Sequence, residues 1–335
     1  METFKVTRFA GTGEEGEING HRLSSSFSVL RGICMDKEGT LYVADGGTRT
    51  IRKILGDQVT NLITKDEVIL DYPCGVCLGK DGNLYFTDRT KHVVCKVIDG
   101  ITTVLAGIPS EQGNEDGAQG TLSFPTGIVE GEEGEFFVAC SGPGSIRKVS
   151  KDGSLSTLCT GLAAPYGITK DSSGNLFVAE FGGHCVQRVD SNGVVTPVVP
   201  KGELEDPIGV VFDLFGNLLV CEYNTGNMKR ISPGGKVSTL SLVDQLGQPY
   251  NFNRPIDMAV DATGVYVTEQ NKHVITFISM PQEWSTSLHS HFPSETKKQI
   301  KTLVMLTMKK GHSNSHMWKL PKDIWLIVIR FVASQ

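Results

Sequence analysis

Short runs of alternating apolar and polar residues recur along the chain, and one such run is repeated about six times. In its clearest copy, Pro-Tyr-Gly-Ile at residues 165–168 is followed by Gly-Asn at 174–175 and by an apolar stretch that ends at Glu180. Runs of this length, separated by turn residues, are typical of β-strands. The Asp-Gly, Asn-Gly and Gly-Asn pairs between the runs supply the positive φ that tight hairpins need. Each copy therefore predicts a unit of four short antiparallel strands.

The spacing of the copies predicts the architecture. The other copies run over residues 32–45, 73–88, 125–140, 207–222 and 255–269. A period of roughly 40 to 50 residues in such a pattern is typical of propeller blades. We therefore expect an all-β protein, a six-bladed β-propeller of four-stranded antiparallel blades over residues 1–279. Glycine near the start of each inner strand is expected because six strands converge on the axis.

The last copy ends after its third strand, so the ring needs one more strand to close. Residues 6–11 resemble the fourth-strand sequence at residues 102–107. We expect this N-terminal strand to pair with blade six, because an unpaired strand edge would promote aggregation.

The copies resemble NHL repeats on three motifs. These are the Pro-x-Gly-Ile strand, the run Asp-Gly-Asn-x-Tyr-Val-Ala-Asp, and a basic third strand such as residues 51–54. The resemblance covers residues 4–278. Related six-bladed proteins include calcium-dependent lactonases and esterases, strictosidine synthase-like enzymes and a lyase that processes amidated peptides. The resemblance therefore leaves two classes open, an interaction scaffold and a calcium-dependent hydrolase, lactonase or lyase.

Charge divides the chain into two parts. The 335 residues carry a net charge of −5, but the segment after residue 280 holds eight Lys and Arg against three Asp and Glu, and all three tryptophans. Its apolar spacing predicts an α-helical hairpin, so residues 280–335 are expected to form a helical tail. The expected docking residues of that tail are Leu320, Ile324, Trp325, Val328 and Phe331. Its Leu-Pro helix resembles an F-box or a SOCS box, which implies a ubiquitin-ligase substrate adaptor as an alternative.

Three histidines recur four residues after the acid that closes the second strand, at His92, His184 and His273. On alternate blades they would lie roughly 15 Å apart, whereas the ligand nitrogens of a zinc ion lie about 3.4 Å apart. We therefore expect each histidine to bond within its own blade, and the acids to accept hydrogen bonds from turn amides or a nearby Arg. The inner strands read as almost wholly apolar, apart from Asp257 near the axis. No cofactor and no metal site is predicted.

The expected binding surface is the face that carries these turns and the long loops over residues 10–29, 107–124 and 241–254, the first two of which resemble each other. Its candidate residues are Arg49, His92, His184, Tyr223, Asn253, Asp257 and His273. We expect a non-enzymatic scaffold that binds a protein partner, because the acidic ring disfavours RNA.

Cellular context is inferred from what the sequence contains. We find no signal peptide and no apolar run long enough to span a bilayer. The eight cysteines lie mainly in apolar strand patterns, where a free thiol packs as a small hydrophobe. We therefore expect a soluble cytoplasmic protein with reduced cysteines.

Overall fold

Six antiparallel blades surround a central axis in the computed structural model, which describes residues 3–63, 70–200 and 202–280. The first strand of each blade is innermost, and each inner strand contacts the inner strands of the two neighbouring blades. The predicted six-bladed propeller is confirmed. All eight cysteines are free, as expected.

The strands follow one another from the axis outward. Blade one has β3 (Leu30–Met35), β4 (Leu41–Asp45), β5 (Thr50–Leu55) and β6 (Gln58–Asn61), with the short β2 (Gly20–His21) added outside. Blade two has β7 (Pro73–Leu78), β8 (Leu84–Asp88), β9 (Val93–Ile98) and β10 (Ile101–Ala106). Blade three has β11 (Pro125–Glu130), β12 (Phe136–Cys140), β13 (Ser145–Val149) and β14 (Leu155–Cys159).

The second half of the ring repeats this order. Blade four has β15 (Pro165–Lys170), β16 (Leu176–Glu180), β17 (Cys185–Val189) and β18 (Val195–Pro197). Blade five has β19 (Pro207–Phe212), β20 (Leu218–Glu222), β21 (Met228–Ile231) and β22 (Val237–Thr239). Blade six has β24 (Pro255–Val260), β25 (Gly264–Glu269) and β26 (Val274–Ser279), followed outward by β1 (Thr3–Ala10) and β23 (Ser241–Val243).

The N-terminal strand closes the ring, as the sequence predicts. Strand β1 pairs antiparallel with β26, in the register that places Val6 opposite Ile278. Phe4, Val6 and Ala10 are buried by this pairing, and β23 covers the outer edge of β1 in parallel. Closure buries apolar side chains and removes the free edge of β26.

Apolar side chains fill the space between adjacent blades. One cluster joins Ala44 and Ile51 of blade one to Val76 and Phe86 of blade two. Similar clusters recur around the ring because alternate residues of each strand point to opposite faces of its sheet.

Glycine lets the inner strands approach one another at the axis. A Cβ atom on Gly75 would lie 2.3 Å from the Thr126 carbonyl oxygen of the next blade, and one on Gly32 would lie 2.5 Å from that of Cys74. Both distances are shorter than a non-bonded carbon–oxygen contact allows, which confirms the predicted packing role of the glycines. Blade six carries Asp257 at this position.

The predicted helical tail and its docking residues Leu320, Ile324, Trp325, Val328 and Phe331 lie outside the described residues. The F-box and SOCS-box resemblance therefore stays a prediction. In the described part of the chain, no helix is long and apolar enough to cross a bilayer.

Candidate functional site

The turn between the second and third strands has the same backbone conformation in all six blades. The fourth residue after the acid position has positive φ in each: Arg49 (58°), His92 (58°), Gly144 (67°), His184 (53°), Gly226 (70°) and His273 (51°). Glycine adopts this left-handed conformation freely, and histidine is enriched there among other residues. The recurrence of histidine thus has a backbone cause that is independent of any ligand.

Each of the three histidines bonds to the following blade. Nδ1 of His92 accepts the Phe124 amide at 3.1 Å, and Nδ1 of His184 accepts the Asp206 amide at 3.2 Å. Nδ1 of His273 lies 2.7 Å from the Ser28 carbonyl oxygen, to which it donates. The expectation that they bond within their own blade is therefore wrong. The chain that leads into each inner strand passes beside the turn of the preceding blade, so the imidazole reaches across the interface.

Each acid at the end of a second strand holds the segment that leads into the inner strand of its own blade. Asp88 accepts the amides of Asp71 and Tyr72, and Glu269 accepts the Asn253 amide at 2.8 Å. The expected structural role of the acids is confirmed. Among the described residues, no group of three or more His, Cys, Asp or Glu side chains converges as a metal site would require.

The other predicted face residues are dispersed around the ring. Arg49 forms an exposed ion pair with Asp71 at 3.4 Å. Tyr223 packs under the guanidinium of Arg254, which lies 5.2 Å from the ring centroid. Asn253 is exposed beside them. These residues share the face predicted from the sequence, but each has a different local partner.

A denser cluster lies at the mouth of the axis, on the same face. It is built from the residue that precedes the axial glycine or aspartate in each blade: Arg31, Cys74, Thr126, Tyr166, Ile208 and Ile256. Nη1 of Arg31 donates to the Tyr166 hydroxyl at 2.9 Å, and Nη2 donates to the Tyr72 hydroxyl. The Tyr166 hydroxyl is also 3.3 Å from Sγ of Cys74.

The protonation states in this cluster favour hydrogen-bond donors. Burial raises the pKa of Tyr166 well above its ordinary value, and burial also raises the pKa of Cys74, against the opposing effect of Arg31. Burial acts to lower the pKa of Arg31, but the nearby Tyr166, Cys74 and Tyr72 raise it overall. At neutral pH the mouth thus presents the Arg31 guanidinium, the Tyr166 phenol and the protonated thiol of Cys74. This set suits a ligand oxygen that is anionic or strongly polarised.

Asp257 lies below the mouth. It lines a cavity of about 20 Å³ together with Cys74 and Tyr166, which has room for roughly one water molecule. Its Oδ2 accepts the Ile33 amide at 3.1 Å, and burial raises the pKa of its carboxyl to about 7. The passage along the axis is therefore narrow at this level, and a ligand would reach the cluster from the loop-bearing face.

These residues do not fit a calcium centre. Calcium takes six to eight oxygen ligands, mostly carboxylates and carbonyls. The cavity offers the single carboxyl of Asp257, and the guanidinium of Arg31 stands above it.

Sequence reasoning missed the mouth cluster. The expectation of an almost wholly apolar lining rested on the residues that follow each axial glycine. Those residues are indeed almost all apolar. The residues that precede the glycine face the mouth, and in this column of the repeat Arg31 and Tyr166 stand out. Aligning the six copies and comparing that column would have identified both residues.

The comparisons with known proteins agree with this fold. The sequence matches the virginiamycin B lyase family over residues 3–277. The chain belongs to that family. The family match supports the propeller, while the resemblance to NHL repeats stays a prediction. No curated protein sequence matched the chain.

Solved structures that resemble this member of the virginiamycin B lyase family are distant in sequence. Virginiamycin B lyase from Staphylococcus aureus is 15% identical, with a TM-score of 0.60 over 83% of this chain and 100% of that one. A catalytically inactive histidine-to-alanine variant of the same enzyme, with quinupristin, is 14% identical over the same shares, also with a TM-score of 0.60. A gluconolactonase from Xanthomonas campestris is 14% identical, with a TM-score of 0.61 over 76% of this chain and 87% of that one. At these identities the likeness establishes the fold.

Proposed function

We propose that this chain is a propeller enzyme that cleaves the carbon–oxygen bond of an ester or lactone at the mouth of the axis. The observation that carries the proposal is Arg31, held between the hydroxyls of Tyr72 and Tyr166 at the centre of the loop-bearing face. Membership of a lyase family and the fold shared with a gluconolactonase support an enzymatic role. This replaces the non-enzymatic scaffold as the leading hypothesis.

Arg31 and the two phenols would stabilise the negative charge that develops on oxygen. In an elimination, a base removes a carbon-bound proton, the electron pair forms a carbon–carbon double bond, and the carbon–oxygen bond breaks to release a carboxylate. A guanidinium and fixed phenol donors bind that carboxylate as it forms. Hydrolysis of a lactone would use the same donors on the carbonyl oxygen while water attacks the carbon.

Asp257 is the candidate base. A general base works best when its pKa lies near the working pH, and the carboxyl of Asp257 has a pKa of about 7. It shares its cavity with Cys74 and Tyr166, so a single water there would connect it to the mouth. Cys74 is a poor nucleophile because burial keeps its thiol protonated.

The test is an activity assay on the full chain with quinupristin and with gluconolactone, followed by mass spectrometry. Elimination gives a product of unchanged mass, whereas hydrolysis adds the mass of one water. We expect Arg31→Met to lower the rate by about 100-fold, because loss of one donor to a developing oxyanion has this effect. Arg49→Met is the matched control, since Arg49 is exposed on the same face and forms an exposed ion pair with Asp71.

Turnover that is unchanged in Arg31→Met would refute the assignment of the mouth as the site. No turnover of either compound by the full chain, with none of several further lactones and cyclic esters cleaved, would count against the enzymatic proposal itself.

A protein-binding role is the second candidate, and one loop favours it. The loop before blade one is pinned to the buried Arg52 and yet presents two apolar side chains to solvent, Ile18 (62% exposed) and Leu23 (38% exposed). A rigid loop with exposed apolar residues is suited to recognise a partner. We expect Ile18→Glu to abolish co-purification of such a partner, whereas Leu246→Glu at another exposed apolar residue would not.

A further inference from the structure

Two fully buried arginines hold the two long loops that resemble each other. In blade one, Nη1 of Arg52 donates to the Ser26 carbonyl at 2.9 Å, and Nη2 donates to the Ile18 carbonyl at 3.0 Å and to Oδ1 of Asn19 at 2.9 Å. The hydroxyl of Ser26 accepts the Ile18 amide at 2.9 Å. Ile18 is therefore bound through both its N–H and its C=O group.

Blade three repeats this arrangement group by group. Nη1 of Arg147 donates to the Thr121 carbonyl at 2.9 Å, and Nη2 donates to the Glu115 carbonyl at 2.8 Å and to Oδ1 of Asp116 at 2.7 Å. The hydroxyl of Thr121 accepts the Glu115 amide at 3.1 Å. Arg147 also bonds the side chain of Asn114 at 2.8 Å.

In both loops the held residue is followed by Asn or Asp and then by glycine. Gly20 (φ 116°) pairs with Val59 on the outer strand of blade one, and Gly117 (φ 100°) pairs with Leu155 on that of blade three. Val59 and Leu155 occupy the same register, opposite Ile54 and Val149 of the third strands. In both blades, the arginine thus holds an extended x-Asn/Asp-Gly segment of the loop against the outer edge of the blade.

Blade five has polar residues at the positions that hold the loops of blades one and three, but the loop before blade five is too short to occupy the same space. Lys229 stands opposite Val220, as Arg52 stands opposite Val43 and Arg147 opposite Val138. Glu203 precedes the buried Leu204, as Ser26 precedes Phe27 and Thr121 precedes Leu122. Only residues 198–206 connect β18 to β19.

An open groove of about 610 Å³ takes the place of the loop. Its lining includes Lys229, Glu203, Glu205, Glu222 and His184. Nζ of Lys229 bonds Oγ1 of Thr239 at 3.0 Å and lies 3.9 Å from a Glu222 oxygen. In the register of Val59 and Leu155, Val237 lies on the outer edge, opposite Ile231.

We propose that this groove binds an extended Asn-Gly-containing peptide segment of another protein. Lys229 donates to the carbonyl of the residue before the asparagine and to the asparagine side chain, and the Glu203 carboxylate accepts the amide of that residue. The glycine adds to the edge of β22 at Val237. Peptide addition to a sheet edge is an established recognition mode.

Charge selects asparagine over aspartate in this ligand. Among the described residues that line the groove, three carboxylates stand against one lysine, so an aspartate would be repelled here, whereas the buried Arg147 of blade three binds Asp116. For the same reason, basic residues after the Asn-Gly pair would favour binding. The chain's own segment Ile18-Asn19-Gly20-His21-Arg22 has this composition.

The probe is therefore a fluorescent, N-acylated synthetic peptide with the sequence of residues 18–24, titrated against the full chain by anisotropy. We expect saturable binding. Removing one charged hydrogen bond should weaken it about tenfold, either with Lys229→Met in the protein or with Asn19→Ala in the peptide. Lys236→Met is the matched control, because Lys236 is an exposed lysine of the same blade and should leave affinity unchanged within about twofold.

A second variant, Glu203→Lys, tests the site independently in case Lys229→Met does not fold. Glu203 is exposed, so Glu203→Lys leaves the core intact, yet it removes the amide acceptor and should weaken the peptide at least as much. Absence of binding at millimolar peptide would overturn the proposal. Binding that neither Lys229→Met nor Glu203→Lys weakens would do so too, because the peptide would then occupy another surface. This site is separate from the mouth, so its failure leaves the proposed enzymatic function untouched.

Discussion

Arg31 of blade one donates a 2.9 Å hydrogen bond to the hydroxyl of Tyr166 in blade four, the blade directly opposite in the ring. The two residues are 135 positions apart in sequence. This bond crosses the mouth of the axis and ties together the two halves of the propeller. It therefore links ring stability to the candidate site.

Tyr166→Phe removes the acceptor of this bond and retains the aromatic ring. We expect a loss of about 1 to 2 kcal/mol in unfolding free energy, because Nη1 of Arg31 loses this hydrogen bond in a largely buried place. Urea unfolding measures the change. Tyr223→Phe should lower the unfolding free energy by less than about 0.5 kcal/mol, because the Tyr223 hydroxyl makes a long bond of 3.3 Å to Gln270. Equal losses in the two variants would contradict the role of the cross-axis bond.

Asp257→Asn should stabilise the protein above neutral pH. The folded-state pKa of this carboxyl rises from 3.8 to about 7 through burial, so the folded state binds a proton that the unfolded state has released. Stability therefore falls as pH rises from about 4 to about 7 and stays low above that range. This rise in pKa corresponds to a loss of at most about 4 kcal/mol in unfolding free energy. Partial exposure of the side chain should reduce the loss to about 2 kcal/mol.

The measurement is the difference in unfolding free energy between Asp257→Asn and the wild type at pH 5 and pH 8. The amide still accepts the Ile33 N–H, so the gain should appear at pH 8 and shrink at pH 5. A gain that does not vary with pH would show that Asp257 titrates normally. The same variant should lose activity if Asp257 is the base.

The ring was predictable from sequence because each blade repeats the same local signals. The hairpin turns, the axial glycines and the closing strand β1 all follow from patterns within one copy or between two copies. Comparing the residue before the axial glycine in the six copies singles out Arg31 and Tyr166, but the contact between them joins opposite blades and has no local signal in the sequence. The third strands also align Lys229 with Arg52 and Arg147, whereas the open groove beside Lys229 is visible only in three dimensions.

The turn histidines should contribute to stability according to their burial. His92 is 7% exposed, bonds the Phe124 amide and packs edge-on against the Phe124 ring. His184 makes the same type of bond with a half-exposed side chain. Glycine is the right replacement for both, because their φ angles of 58° and 53° give it the same backbone advantage.

We therefore expect the free energy of unfolding of His92→Gly to be about 1 to 2 kcal/mol lower than that of His184→Gly. Thermal and urea unfolding of the two variants provide the comparison. If the order were reversed, the bridge to the next blade would not be the role of His92.

Arg147→Met should release the loop over residues 107–124. The variant removes the guanidinium that donates to the carbonyls of Thr121 and Glu115 and to the half-exposed carboxylate of Asp116, which should cost about 1 to 3 kcal/mol. Limited proteolysis should then cut this loop first. Lys148→Met is the control, since its ion pair with Glu135 is at 3.6 Å and partly exposed, worth about 1 kcal/mol or less. Intact loops in Arg147→Met would show that the loop holds itself without the arginine.

Removal of residues 1–10 should open the ring at blade six. It exposes the edge of β26 and removes the buried side chains of Phe4, Val6 and Ala10, which together contribute roughly 5 kcal/mol. An exposed strand edge recruits other chains, so we expect self-association in size-exclusion chromatography and a broadened unfolding transition. A synthetic peptide of residues 1–11 added in trans should restore a monomeric, cooperative protein, because it supplies the missing strand without covalent closure. A truncated chain that stays monomeric and unfolds as sharply as the full chain would mean that blade six is stable with three strands.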